Sequence, residues 1–179
     1  MKILTVIMLL LVVSGFLLTS CSTIPKGAVA VNPFDSKKYL GRWFEIARMD
    51  FTFEKNLNST TANYSMNEDG SIKVVNRGFD YIRGIKKEAV GKAKFAGKPG
   101  EARLKVSFFG PFYAPYNVIA LDNDYKYALI AGKNLKYLWI LSRETSIPDE
   151  IKKNYLEIAG KIGFDTSKLI WVEQNEDHE

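Results

Sequence analysis

The 179-residue chain has one cysteine, Cys21, and one histidine, His178, next to the last residue. A single thiol excludes an intramolecular disulfide. With a lone imidazole in the terminal tail, no Cys/His metal cluster, Ser-His-Asp triad or Cys-His pair can be assembled. No cofactor or metal is implied. A carboxylate-only enzyme on the glycosidase pattern survives this elimination, yet no spacing among the acids marks a pair. A non-enzyme is the expectation. Also missing is any continuous basic stripe. The net charge of +5 comes from scattered bases, with pairs at Lys37-Lys38, Lys86-Lys87 and Lys152-Lys153 and acids between them. Nucleic-acid binding would need a stripe or a recognition motif, and neither is present. Mild attraction to anionic lipid is the more economical use of the charge.

What is present is an ordinary globular balance, 46% hydrophobic and 25% charged, sized for one domain. Residues 1–20 place Lys2 ahead of an apolar run from Ile3 to Leu18, the pattern of a secretory signal peptide. The run is marginal as a permanent span, which needs about 20 apolar residues, so an uncleaved anchor is the weaker alternative. The following Leu18-Thr19-Ser20-Cys21 resembles the lipobox of bacterial lipoproteins. That resemblance implies a diacylglyceryl group on the Cys21 thiol, cleavage before Cys21 and acylation of the new amine. Two or three acyl chains hold a protein firmly to a bilayer where one is marginal. Ser22, where an Asp would signal inner-membrane retention, implies the outer membrane, facing the periplasm. The expected organisation is a signal peptide over 1–20, a lipidated N-terminus and tether over 21–34, and one domain over 35–179.

From residue 40 the chain reads as short β runs separated by turn signals. Strands are expected near 41–50, 59–67, 71–79, 88–96, 102–109, 116–122, 125–131 and 136–143. Ser146 and Pro148 then open one helix, with Ile151, Tyr155, Ile158 and Ile162 on one face and Gly163 at its end. A run over 167–174 adds a ninth strand against the outside. Eight hairpin-linked antiparallel strands close most economically as an up-and-down barrel, with a two-sheet sandwich as the alternative. In such a barrel the end of strand eight returns beside the start of strand one. Arg143 then stacks on Trp43, and Gly41 lets backbone pass close to the indole.

These residues resemble the lipocalin family. Gly41-Arg42-Trp43 matches its Gly-x-Trp opening, Asp122 and Tyr125 stand in its usual turn, and Arg143 ends strand eight. The resemblance runs from about Asp35 to Gln174, and the stretches around Trp43, Phe108 and Trp139 look most like the bacterial lipoprotein lipocalins. It implies an all-β barrel with one C-terminal helix, closed at the Trp43 end. It also implies a non-enzymatic carrier or store of fatty acid, lysophospholipid or phospholipid for envelope maintenance.

The loops after strands one, three, five and seven would ring the open mouth. They hold Phe51, Phe53, Tyr81, Phe112 and Tyr113, and the bases Lys55, Arg83, Lys86, Lys87, Lys133 and Lys136. An aromatic and basic rim over an apolar cup suits an acyl tail with an anionic head group, or a mouth pressed to an anionic membrane. The plainer use of the lysines is solubility. The aromatics equally suit loop packing or the contact of a homodimer. Trp139, Leu141, Leu104, Val106, Phe108 and Tyr113 are the candidate ligand contacts, each also readable as core filling. The rival functions are a structural envelope protein with a filled barrel and a weak lipid hydrolase.

Overall fold

The computed structural model describes residues 23–175. The leader, Cys21 and His178 lie outside the described residues. A short helix α1 (Ser36–Tyr39) leads into β1 (Gly41–Met49), β2 (Leu57–Met66), β3 (Ile72–Asp80) and β4 (Ile85–Phe95). Then come β5 (Arg103–Phe109), β6 (Phe112–Leu121), β7 (Tyr127–Ala131), β8 (Leu138–Ser142), helix α2 (Asp149–Ile162) and β9 (Leu169–Trp171). Each of the first seven strands pairs antiparallel with the next, and β1 pairs with both β2 and β8. The sheet closes on itself, so the barrel stands and the sandwich does not.

Alternation along each strand separates two cores. On β8, Trp139 and Leu141 face the lumen with Trp43, Tyr64, Leu104 and Val118, while Leu138 and Ile140 face outward. The outward set packs under α2, against Tyr155 and Ala159, with Ile151, Ile158 and Ile162 at the margin. The helix begins at Asp149, not at a Ser146 cap, because the Ser146 carbonyl accepts from Ser142 Oγ at 2.8 Å. Asp149 and Glu150 complement the dipole instead, and Gly163, at φ 109°, ends the helix with its N–H on Ala159 and Gly160 carbonyls.

Several boundaries and placements differ from the sequence expectation. Strand β4 starts at Ile85 and β6 at Phe112, so Lys86, Lys87, Phe112 and Tyr113 lie on strands. Tight turns shorten both loops: Gly84 (φ 67°) donates to the Asp80 carbonyl at 2.8 Å, and Phe109 pairs directly with Phe112. The stretch expected as a tether is docked from Thr23 onward. Val31 exchanges hydrogen bonds with Val118 and Ala102, Phe34 N donates to Gly100 O, and Ala30 and Phe34 are buried. Finally, β9 does not lie against the outside. It extends the wall where β2 leaves β1, pairing Ala47–Met49, while Gln174 Nε2 donates to both Glu45 O (2.7 Å) and Thr60 O (3.2 Å).

Candidate functional site

The closed end is built around Trp43, which is fully buried. The Arg143 guanidinium carbon sits 3.9 Å from the indole centroid. Its nitrogens donate to the carbonyls of Arg42 (2.6 Å), Leu40 (2.8 Å), Lys38 (3.0 Å) and Tyr125 (3.2 Å). Gly41, at φ 92°, lies against this fork: a Cβ there would stand 3.4 Å from Arg143 Nη1. Trp43 Nε1 donates to Tyr39 O at 2.9 Å. The Asp122–Tyr125 turn adds a second tie. Asp122 Oδ1 accepts from Lys126 N and Tyr127 N, and the Tyr125 hydroxyl accepts from Asp35 N at 2.8 Å.

Above this floor three tyrosines meet. The Tyr116 hydroxyl lies 2.7 Å from that of Tyr39 and 3.0 Å from that of Tyr64. Burial keeps all three neutral, with Tyr64 pushed up to about 12.

The next layer is charged, and it corrects the expected greasy cup. Arg48 Nη1 donates to Glu45 Oε1 at 2.7 Å, and Nη2 donates to Glu54 O and Leu57 O at 2.8 and 2.9 Å. Glu54 reaches inward from a single 3₁₀ turn, Thr52–Glu54, in the β1–β2 loop. Its Oε2 accepts from Trp139 Nε1 at 3.1 Å, and its carboxyl is hydrogen-bonded to that of Glu45. Burial, then the neighbouring Glu45 charge, raises Glu54 well above the ordinary carboxylate range. Glu45 is raised less, because Arg48 opposes its burial. The layer therefore sets two mutually opposed acids beside one guanidinium, and burial favours the protonated form of Glu54. Phe51 packs edge-on to Trp139 at 5.4 Å, and Phe53 meets Phe109 from the opposite hairpin at 6.2 Å, so the β1–β2 loop bridges the mouth.

The accessible part of the lumen runs along β4 and β5. Ala89 pairs with Asn76 on the inner face, beside Ala62, and is nonetheless exposed. Val106 and Phe108 are half-buried on the same inner wall, and Leu104 lies deeper and buried. Gly91 makes room for Phe108, since a Cβ there would stand 2.8 Å from its ring and 2.7 Å from Ser107 O. The β4–β5 ladder stops at Lys92–Ser107, although β4 continues to Ile85. The wall has a seam there. Two surface clefts lie elsewhere, about 340 Å³ lined by Phe34, Phe95 and 97–101, and about 550 Å³ beside the β2–β3 turn.

Trp139, Leu141, Leu104, Val106 and Phe108 thus share the lumen. Tyr113 does not. It alternates with the inward Ala114 and Tyr116 and lies outside, its ring 5.4 Å from Lys105 Nζ and 5.9 Å from Lys94 Nζ. Of the mouth bases, Lys87 is held by buried Asp80 at 2.7 Å, with Arg83 4.0 Å from the same carboxylate. Lys55, Lys86, Lys133 and Lys136 are exposed. Tyr39, Tyr64, Tyr116, Glu45, Arg48 and Glu54 were not among the sequence candidates.

A family model for the lipocalin-like domain matches residues 34–174. The chain is a member of the lipocalin family. It is 52% identical over 163 residues to the Outer membrane lipoprotein Blc of Escherichia coli K12, covering 90% of this chain and 92% of that protein. The protein of the same name from Vibrio cholerae is 43% identical, with 92% and 96% covered. Among solved structures, insecticyanin from the tobacco hornworm superposes with a TM-score of 0.70 at 21% identity, over 88% of this chain and 89% of its own. That likeness speaks for the fold. The kinship with named outer-membrane lipoproteins places this lipocalin at the outer membrane, held by lipid.

Proposed function

We propose that this lipocalin carries or stores an acyl-chain lipid in envelope maintenance: a fatty acid, a lysophospholipid or a phospholipid. Cys21 is the proposed lipidated residue. The observation that carries the reading is the accessible inner wall at Ala89, flanked by half-buried Val106 and Phe108 above a sealed floor. An acyl chain laid along it would bury about 0.8 kcal/mol per methylene, so ten methylenes give roughly 8 kcal/mol, the micromolar range before ordering costs. Trp139 and Phe51 would flank the tail, and the head group would stay near the mouth bases. The buried acid pair favours carriage over hydrolysis, because Glu54 is held by Trp139 and Glu45 by Arg48.

The packed floor and charged middle layer favour one alternative, a filled envelope protein that binds nothing. Native mass spectrometry of the processed protein, purified without detergent, separates the two. Copurifying lipid is the expected result. Empty spectra together with no uptake of a fluorescent fatty acid would overturn carriage.

A further inference from the structure

We propose that the outer wall beside the β4–β5 seam rests on the anionic bilayer that holds the chain's anchor, so that acyl chains pass sideways between bilayer and lumen. The proposal rests on the anchored lipid-carrier reading above and names the surface through which that carrier works.

Charge supplies the first argument. Lys94 and Lys105 stand directly opposite each other in the β4–β5 ladder, facing outward over the exposed Tyr113 ring. Like charges so placed repel. Neighbouring bases have acids: Arg77 has Glu88 and Lys92 has Asp69, at 2.8 and 2.9 Å, and Arg103 has Glu101 at 3.8 Å. Among the described residues no carboxylate lies within ion-pair reach of Lys94 or Lys105. A dense negative surface would turn this repulsion into attraction, at sites that also offer an amphipathic ring suited to the interface.

Apolar exposure supplies the second. Beyond the two lysines, toward the mouth, Val90 is 52% exposed, and Phe109 and Phe112, paired at the rim, are 69% and 79% exposed. They flank the place where the ladder stops, so the apolar patch and the unpaired edge of β4 coincide. A lipid entering there would meet Phe108 and Ala89 at once.

The anchor supplies the third. Thr23 is pinned to this side of the barrel, its carbonyl accepting from Asn117 Nδ2 at 3.0 Å and its hydroxyl from Arg103. Cys21 is two residues upstream in sequence, so the chain between a lipid anchor on it and Thr23 can span at most about 7 Å. There is no long tether to let the barrel choose another face. Helix α2, on the far wall, would point away from the lipid.

The test uses the full chain, processed and lipidated in cells, reconstituted in vesicles of phosphatidylethanolamine and phosphatidylglycerol. A polarity-sensitive fluorophore is placed on Phe112→Cys or, as control, on Asn154→Cys of α2. We expect a blue shift and quenching by spin-labelled lipid tails at 112 and neither at 154. Removing phosphatidylglycerol, or introducing Lys94→Glu with Lys105→Glu, should lower the docked-to-undocked ratio roughly tenfold or more. The paired Lys→Gln variant should fall between, and unchanged thermal unfolding of each variant shows that the barrel is intact. A wet label at 112 on protein that still floats with vesicles would overturn docking and leave the anchor standing. Failure to float would remove the anchor and docking together. A shift that ignores phosphatidylglycerol, or that grows with protein-to-lipid ratio, would instead assign the patch to a second copy and overturn the membrane.

Discussion

Inside the barrel, Arg48 Nη1 donates to Glu45 Oε1 at 2.7 Å, although the two residues are three apart on one strand. In a regular strand they would face opposite sides of the wall. A bulge between Glu45 and Ala47 turns Ile46 and Ala47 both outward under α2 and returns Arg48 to the lumen. One irregular residue thus makes a buried charge layer.

That layer should make stability fall with rising pH. Glu54 is raised from its ordinary value of 4.5, first by burial and then by the Glu45 charge. Above the ordinary range the unfolded chain has released the proton while the folded one keeps it. Stability therefore declines as pH climbs toward the folded value, and below the ordinary range the contribution is complete. Urea midpoints measured from pH 4.5 upward should decline for the wild type and decline less for Glu54→Gln. Parallel curves for the two proteins would refute the assignment.

Removing the cation should cost more than removing the acid. Arg48→Met leaves Glu45 and Glu54 facing each other without compensation and frees the carbonyls of Glu54 and Leu57. Breaking a buried ion pair from one side costs about 3–5 kcal/mol. The double variant Arg48→Met with Glu45→Met should recover part of that loss, and chemical denaturation of all three proteins provides the comparison.

At the closed end, Arg143 gathers five backbone carbonyls besides stacking on Trp43. Arg143→Ala should cost about 2–4 kcal/mol, summing a cation–π contact and charge-assisted hydrogen bonds. Lysine should rescue little, because a point charge cannot reach carbonyls spread over α1, β1 and the β6–β7 turn. Thermal melts should therefore place Arg143→Lys nearer Arg143→Ala than the wild type. The Trp43 near-ultraviolet dichroism should weaken in both variants.

The floor was legible because its parts are set by chain order alone: eight strands joined by seven hairpins return Arg143 to Trp43 whatever the details. The lumen set Trp139 and Leu141 followed from the same parity. Parity misled where strand lengths were wrong. Placing Tyr113 in a loop hid that it alternates outward from Ala114 and Tyr116. The charge layer was illegible for a different reason. Glu45 and Arg48 have opposite parity, and Glu54 enters the lumen from a loop, so no periodicity brings the three together. Nor did the strand-like run over 167–174 reveal that it would stitch β1 to β2, since that depends on where β2 diverges.

The last prediction concerns Gly91, which keeps the accessible lumen open. A methyl group there would stand 2.7 Å from the Ser107 carbonyl and 2.8 Å from the Phe108 ring, inside normal contact. The ring can rotate away, but the carbonyl belongs to the last paired position of the β4–β5 ladder, opposite Lys92. Gly91→Ala should therefore shift backbone as well as side chain, costing about 1–3 kcal/mol as overpacking does. It should also drive Phe108 toward the inner wall along which an acyl chain would lie. Titration with a fluorescent fatty acid should show weaker binding for Gly91→Ala. Phe108→Ala placed on top of it removes the displaced ring and should restore part of the affinity. Equal affinity in the wild type and Gly91→Ala would move the acyl chain away from β4 and β5.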